Sequence, residues 1–223
     1  MQKMHLKEPQ PENPGINRDS TRKGHTVDRE RFQKQVDFIL EIDQEKNILR
    51  QTHLSRGGRR ENDAEHAWHM AVMAWLLKEY ANEPIDAART MLMVLVHDLV
   101  EVYAGDTYAY DEAAKETQAE RELQAADRLF GMLPEDQGKA LRAVWEEFDA
   151  YETPESRFAH TLDNFQLLIL NDSNNGGDWK AHEVRRSQVE KRNAKTGTGS
   201  EEIWAYMKEL LDKHEAAGNL RRG

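Results

Sequence analysis

The chain has 223 residues, a formal net charge of −10, 38 % hydrophobic content and no cysteine. That is enough for one domain with a core, and the lack of thiols means any metal must be held by histidine and carboxylate. The acidic balance argues against a nucleic-acid polymer, which needs a basic surface, but leaves room for a single small phosphate. No apolar run is long enough to span a membrane and no N-terminal apolar segment marks a secretory signal, so a cytoplasmic protein away from membranes is expected.

In chain order, residues 1–26 contain Pro9, Pro11 and Pro14 among many charges and read as a disordered tail. Asp28 is an N-cap for a helix ending near Asp43, with Phe32, Val36, Ile39 and Leu40 at helical spacing. A loop rich in arginine and glycine follows, through Gly57-Gly58-Arg59-Arg60. Asn62 and Glu65, three apart, form a variant capping box for a helix over 63–80, with Trp68, Val72, Trp75, Leu76 and Tyr80 on its apolar side. Pro84 opens the next segment, a helix over 85–102 stopped by Gly105.

Asp111 caps a charged helix over 112–130, with Leu123, Ala126 and Phe130 inside. Pro134 opens another, to about Tyr151. Thr153-Pro154 starts a helix bearing Phe158, Leu162, Phe165, Leu168 and Ile169. A helix from about Asp178 carries Trp179 and His182, and Ser200 caps a last one over 201–216. Strand patterns bounded by turns are not evident, so the expected fold is all-α, seven or eight helices in one domain over 27–217, with 218–223 as a C-terminal tail.

The stretch 91–107, MLMVLVHDLVEVYAGDT, stands out. Six apolar residues run into His97-Asp98, followed by Glu101 and Asp106. Buried acids and histidines are costly unless paired or bound to metal. His66, His97, Asp98 and Asp163 lie on three helices. Two imidazoles and two carboxylates suit a divalent ion such as Mn, Fe, Co, Ni or Zn, with positions left for water and a phosphate oxygen. Glu101, four residues after His97, is placed to exchange protons. From spacing alone, a His-Asp pair is more often a structural hydrogen-bonded pair, and an Asp such as Asp163 within a helix is more often solvated. His69 reads as a structural histidine, and Asp106 as either a turn bond or a site residue.

The order Glu65-His66, His97-Asp98-Leu99-Val100-Glu101, Gly105-Asp106-Thr107, Asp163 resembles the HD-domain metal-dependent phosphohydrolases. The finer likeness is to bacterial 5′-deoxynucleotidases and their eukaryotic HD-domain relatives, carried also by Trp145-Glu146-Glu147-Phe148 and the segment from Thr153 to Phe158. The resemblance implies a compact helical fold, one transition-metal ion and a homodimer. It implies His66, His97, Asp98 and Asp163 as metal ligands, Glu101 as the catalytic acid and Asp106 near the sugar. Arg50, Arg59 and Arg60 compete as the phosphate-binding arginine. The expected reaction is release of phosphate from a small nucleotide, a 5′-(deoxy)nucleoside monophosphate, by attack of a metal-bound water. The alternatives are a metal- and nucleotide-binding regulatory module without turnover, or hydrolysis of another phosphorylated nucleotide. Many relatives carry arginine after the last ligand; Asn164 stands there, so a salt bridge or substrate contact is expected to be missing.

Overall fold

A computed structural model describes residues 28–105 and 116–223. The expected tail over 1–26, Asp106 and Asp111 lie outside the described residues. The described residues are mainly helical: α1 Arg29–Ile42, α2 Asp63–Leu77, α3 Ala87–Val96, α4 Glu101–Ala104, α5 Gln118–Phe130, α6 Glu135–Ala150, α7 Pro154–Ser173, α8 Gly177–Ala181, α9 Arg186–Arg192 and α10 Glu201–Ala216. The caps form where side-chain oxygens can satisfy the free N–H groups of a first turn. Asp28, Asp86 and Ser200 each accept a backbone N–H of their helix. Asn62–Glu65 and Thr153–Ser156 close full capping boxes.

Three boundaries differ from the sequence reading. The helix expected over 85–102 is broken. The α ladder ends with His97 N–H bonded to the Met93 carbonyl, and the Leu99 and Glu101 N–H groups then bond only three residues back, to Val96 and Asp98. His97-Asp98 therefore occupies a tightened turn between α3 and α4. Of the charged helix expected over 112–130, residues 112–115 lie outside the described residues, Glu116 and Thr117 form a turn, and the helix runs from Gln118. The arginine–glycine loop holds a small antiparallel hairpin, β1 Leu49–His53 with β2 Arg60–Asn62. Its turn places Arg56, Gly57 and Gly58 at positive φ, where two glycines relieve the strain. Leu49-Arg50-Gln51-Thr52-His53 lacks apolar alternation because the pairing is held from outside. Asp178 accepts the His53 N–H, and Asn174 Nδ2 donates to the Leu54 carbonyl.

Two apolar clusters flank α3. Met93 and Val94 join Met70, Ala74, Phe158, Leu162, Met207 and Leu211. Val96, Leu99 and Val100 join Phe38, Ala126, Leu129, Phe130 and Trp145. Each fully buried Leu, Met or Phe contributes about 1.5–3 kcal/mol of transfer free energy, so this segment is fixed from both sides.

The inner faces are not the ones periodicity suggested. α2 turns Ala67, Met70, Ala71, Met73 and Ala74 inward, while Trp68, Trp75 and Leu76 are 65 %, 56 % and 62 % exposed. α2 is apolar nearly all round, so the pattern cannot choose a face. The small alanines decide it by letting α3 and α7 approach. Phe32, Ile39, Leu40 and Leu123 are likewise exposed; Phe38 is the buried residue of α1. At the other end, residues 218–223 are docked and do not form a free tail: Leu220 is buried and the Arg221 N–H donates to the Val184 carbonyl.

Candidate metal centre

The hairpin, the α2 N-terminus, the α3–α4 turn and the middle of α7 meet at one point. His66 lies in the first turn of α2, fixed by the capping box at Asn62. His66 Nε2 is 3.2 Å from Asp163 Oδ1 and 3.9 Å from Asp98 Oδ2. His97 Nε2 is 3.0 Å from Asp98 Oδ2. Ligating atoms of His66, His97 and Asp98 lie within 4.8 Å of one another, a spacing that could hold one ion; Asp163 is outside that group and meets it at His66. His97 Nδ1–H donates to the Val94 carbonyl at 2.9 Å. A carbonyl only accepts, so in the neutral ring the lone pair is on Nε2, toward the cluster.

The donor set fits a divalent cation. His66 Nε2, His97 Nε2 and Asp163 Oδ1 are buried without a well-formed hydrogen bond. Orphaned buried polar atoms of this kind point to a missing ligand or ion. Charge gives a second reason. Asp63, Asp98, Asp163 and Glu101 crowd around the Arg50 guanidinium. Its Nη1 donates to Asp98 Oδ2 at 2.6 Å and to Asp63 Oδ1 at 3.2 Å, and its Nη2 is 3.9 Å from Asp163 Oδ1. One buried guanidinium leaves these acids with excess negative charge, most of which a divalent ion would offset.

The electrostatics divide the two imidazoles. Burial, helped by Arg50, lowers His66 to about 4, so its ring is neutral near pH 7. Burial also lowers His97, but the adjoining Asp98 carboxylate outweighs it and raises the ring to about 9. Asp98 and Asp163 are held below the carboxylate range: burial opposes this, and His97 and Arg50 in one case, His66, Arg192 and Arg50 in the other, prevail. Burial raises Glu45 to about 8 and Glu61 to about 7.

A cleft of about 640 Å³ opens over this centre, lined by Arg50, His97, Asp98, Glu101 and Asp163 and by Phe148, His160 and Arg192. Beside it His97 packs on Phe148, which stacks on His160 at 3.9 Å, and His160 on Tyr151 at 4.3 Å. Of the three arginines considered, Arg50 enters the centre. Arg59 turns outward to pair with Glu65, and Arg60 is exposed on β2; neither lines the cleft. His69 faces Gln166, with its Nδ1 3.3 Å from Gln166 Nε2.

The contact expected to be missing after Asp163 is supplied from elsewhere. Arg192 of α9 donates to Asn164 Oδ1 at 3.3 Å and lies 3.8 Å from Asp163 Oδ2. Sequence reading did not find Asp63, Glu61, Gln166 or Arg192 as site residues. Asp63 and Glu61 flank the Asn62 cap, a local signal. Gln166 is one turn beyond Asp163, also a local signal. Arg192 is reached only through the tertiary fold.

Residues 42–204 match the HD domain family. The chain is 47 % identical to a predicted metal-dependent phosphohydrolase from Magnetospirillum magnetotacticum, whose crystal structure it covers to 95 % with 85 % of its own length, at a TM-score of 0.81. An HD-domain phosphohydrolase from Listeria innocua, 19 % identical over 80 % of this chain and 84 % of that one, shares the fold at a TM-score of 0.53. The human 5′-deoxynucleotidase HDDC2 is 30 % identical over 135 residues, 60 % of this chain and 65 % of that protein, just under two thirds of its length. The family match runs through the hairpin, the His97-Asp98 turn and all of α7, the elements that build the centre, and this chain belongs to the HD domain family.

Proposed function

We propose that this chain is a metal-dependent phosphohydrolase releasing phosphate from small nucleotides, foremost 5′-(deoxy)nucleoside monophosphates. The observation that carries the proposal is the convergence of His66, His97, Asp98 and Asp163, with Arg50 among them, at the base of a nucleotide-sized cleft. The name of the human relative supports the substrate class.

His66, His97, Asp98 and Asp163 would hold one divalent ion, Mn, Co, Fe, Ni or Zn. Bound there, such an ion supplies Lewis acidity toward water and toward a phosphoryl oxygen. The protein does the rest. The Val94 carbonyl fixes the His97 ring. Asp98 and Asp63 hold the Arg50 guanidinium, which presents charge-assisted donors to an incoming phosphate. Glu101 lines the same cleft and can take a proton from the attacking water and return it to the leaving oxygen. Phosphate release should be measured for ribo- and deoxyribonucleoside monophosphates, triphosphates and cyclic dinucleotides, with metal-stripped protein and each cation added back. Monophosphates should be turned over, and Glu101→Ala should lose about 10²- to 10⁴-fold while still binding metal. Metal-filled protein that releases phosphate from none of them would return the chain to the reading as a binding module.

The finer assembly belongs to the same proposal. Trp68, Val72, Trp75 and Leu76 on α2 and Leu92 and Leu95 on α3 are exposed. Large apolar side chains exposed on two helices that pack together support reading this face as the contact of a homodimer. Trp75→Glu should shift the chain to monomer in size-exclusion chromatography with light scattering. An unchanged elution would reject this face.

A further inference from the structure

A histidine that gives Nε2 to a metal carries its remaining proton on Nδ1, and that N–H needs an acceptor if the site is dry. His97 has one in the Val94 carbonyl. His66 is fully buried, and its Nδ1 makes no hydrogen bond. The polar atom facing it is Glu61 Oε2, at 3.7 Å, and this oxygen too has no hydrogen-bond partner. Two orphaned atoms of complementary type thus face each other in the interior, about 0.8 Å beyond an ordinary N–H···O distance.

The other oxygen of Glu61 is held. Gln166 Nε2 donates to Glu61 Oε1 at 2.7 Å, and Gln166 is itself fully buried. The same nitrogen lies 3.3 Å from His69 Nδ1, so both protons of Nε2 have a neighbour, whereas Gln166 Oε1 is buried without a hydrogen bond. Gln166 lies three residues after Asp163 on α7, one turn along, so one helix carries both a cluster carboxylate and the clamp on Glu61. Glu61 in turn sits on β2 directly before the Asn62 cap of α2. Its backbone is fixed by the same few residues that set His66.

We infer that Glu61 is a positioning residue for the metal centre, accepting the Nδ1 proton of His66 so that Nε2 is aimed at the ion, with Gln166 holding Glu61 in place. This rests on the metal-site reading above. Glu61 is not among the residues that line the cleft, so its role is not contact with the reacting groups. Its effect is on how well His66 binds metal and on which ring nitrogen carries the proton.

The experiment is cobalt(II) titration of metal-free protein, followed by its d–d absorption, together with ¹⁵N-histidine NMR of the zinc-loaded form. Wild type should bind both ions, with a His66 Nδ1–H resonance far downfield. Glu61→Gln keeps the volume, and should weaken cobalt binding about 10- to 100-fold and move that resonance upfield, with circular dichroism unchanged. Gln166→Met leaves Glu61 intact but unbraced and should weaken binding in the same direction by less; it decides the matter if Glu61→Gln does not fold. Wild-type affinity and an unmoved Nδ1–H in a folded Glu61 or Gln166 variant would overturn the inference while leaving the metal centre standing. Failure of the wild type to bind either ion would overturn both.

Discussion

Two histidines of this chain are equally buried and do opposite things. His66 and His214 are 0 % and 1 % exposed. His214, near the end of α10, is saturated: its Nε2 lies 2.9 Å from Asp172 Oδ1 and its Nδ1 accepts from Asn219 Nδ2 at 2.8 Å, with Trp179 packed edge-on at 5.0 Å. Both ring nitrogens of His66 lack a well-formed hydrogen bond, and carboxylates gather around it. Desolvating an imidazole costs the same at either place, so what separates them is whether the protein supplies the partners. At His214 it does, and the histidine ties α7 to the docked C-terminus. At His66 it does not: Nδ1 faces Glu61 Oε2 at 3.7 Å, beyond an ordinary hydrogen bond, and the bond at Nε2 is left for something outside the chain to make.

The largest effect that would break this comparison is at His66. His66→Gln should abolish metal binding and phosphate release, yet shift the melting temperature of metal-free protein by less than about 4 °C, the equivalent of roughly 1 kcal/mol in a chain of this size. Calorimetry and an activity assay on the same preparation decide it. A variant that melts far lower in the absence of metal would make His66 a structural histidine like the other. A variant that keeps its activity would remove the centre altogether.

How much of this was legible in the sequence follows from what is local. The caps at Asp28, Asn62, Thr153 and Ser200 depend on a few adjacent residues, and the helices they start could be read directly. The convergence of His66, His97, Asp98 and Asp163 was not contained in spacing; it came from the ordered likeness to a family, because three helices must pack before these residues meet. The apolar side of α2 was misjudged because Trp68 and Trp75 weigh heavily in any periodicity while Ala67, Ala71 and Ala74 do not, although alanines are what closely packed helices place between them. The hairpin at Leu49–His53 was invisible because its side chains do not alternate and its supports, Asp178 and Asn174, are more than a hundred residues away.

A middle-sized effect tests the other histidine. His214→Ala removes a buried ring and deprives Asp172 and Asn219 of one partner each. Lys213 still reaches Asp172 at 2.5 Å and Asn175 Oδ1 still accepts from Asn219, so neither group is left wholly unsatisfied. The expected cost is about 1–3 kcal/mol, with metal affinity and turnover of the folded protein unchanged. Denaturant titration alongside cobalt titration separates the two. Weakened metal binding in this variant would mean that the C-terminal corner and the centre are one coupled unit, and the contrast between the histidines would lose its meaning.

The smallest expected effect lies in the pH dependence of metal-free protein, where the ring of His97 sharpens the contrast. Asp98 holds the folded His97 near 9 against an ordinary value of 6.5. Its contribution is therefore fully present below about pH 6.5 and is lost as pH rises through 9, where the folded ring finally releases its proton. Glu45, raised by burial to about 8, acts in the same sense, favouring the folded state below its unfolded value of 4.5 and losing that advantage as pH rises through 8. His66, lowered to about 4, works on the acid side: its contribution is complete above 6.5 and falls away as pH drops toward 4. Stripped of metal by a chelator, the protein should melt at steadily lower temperature from pH 6.5 to 9, and His97→Gln should flatten part of that limb. Saturating zinc should reverse the slope, because a bound metal takes the place of the His97 proton and binds more tightly as protons become scarce. A metal-free melting curve that is level across this range would show that the Asp98–His97 pair does not store charge in the way its 3.0 Å separation implies.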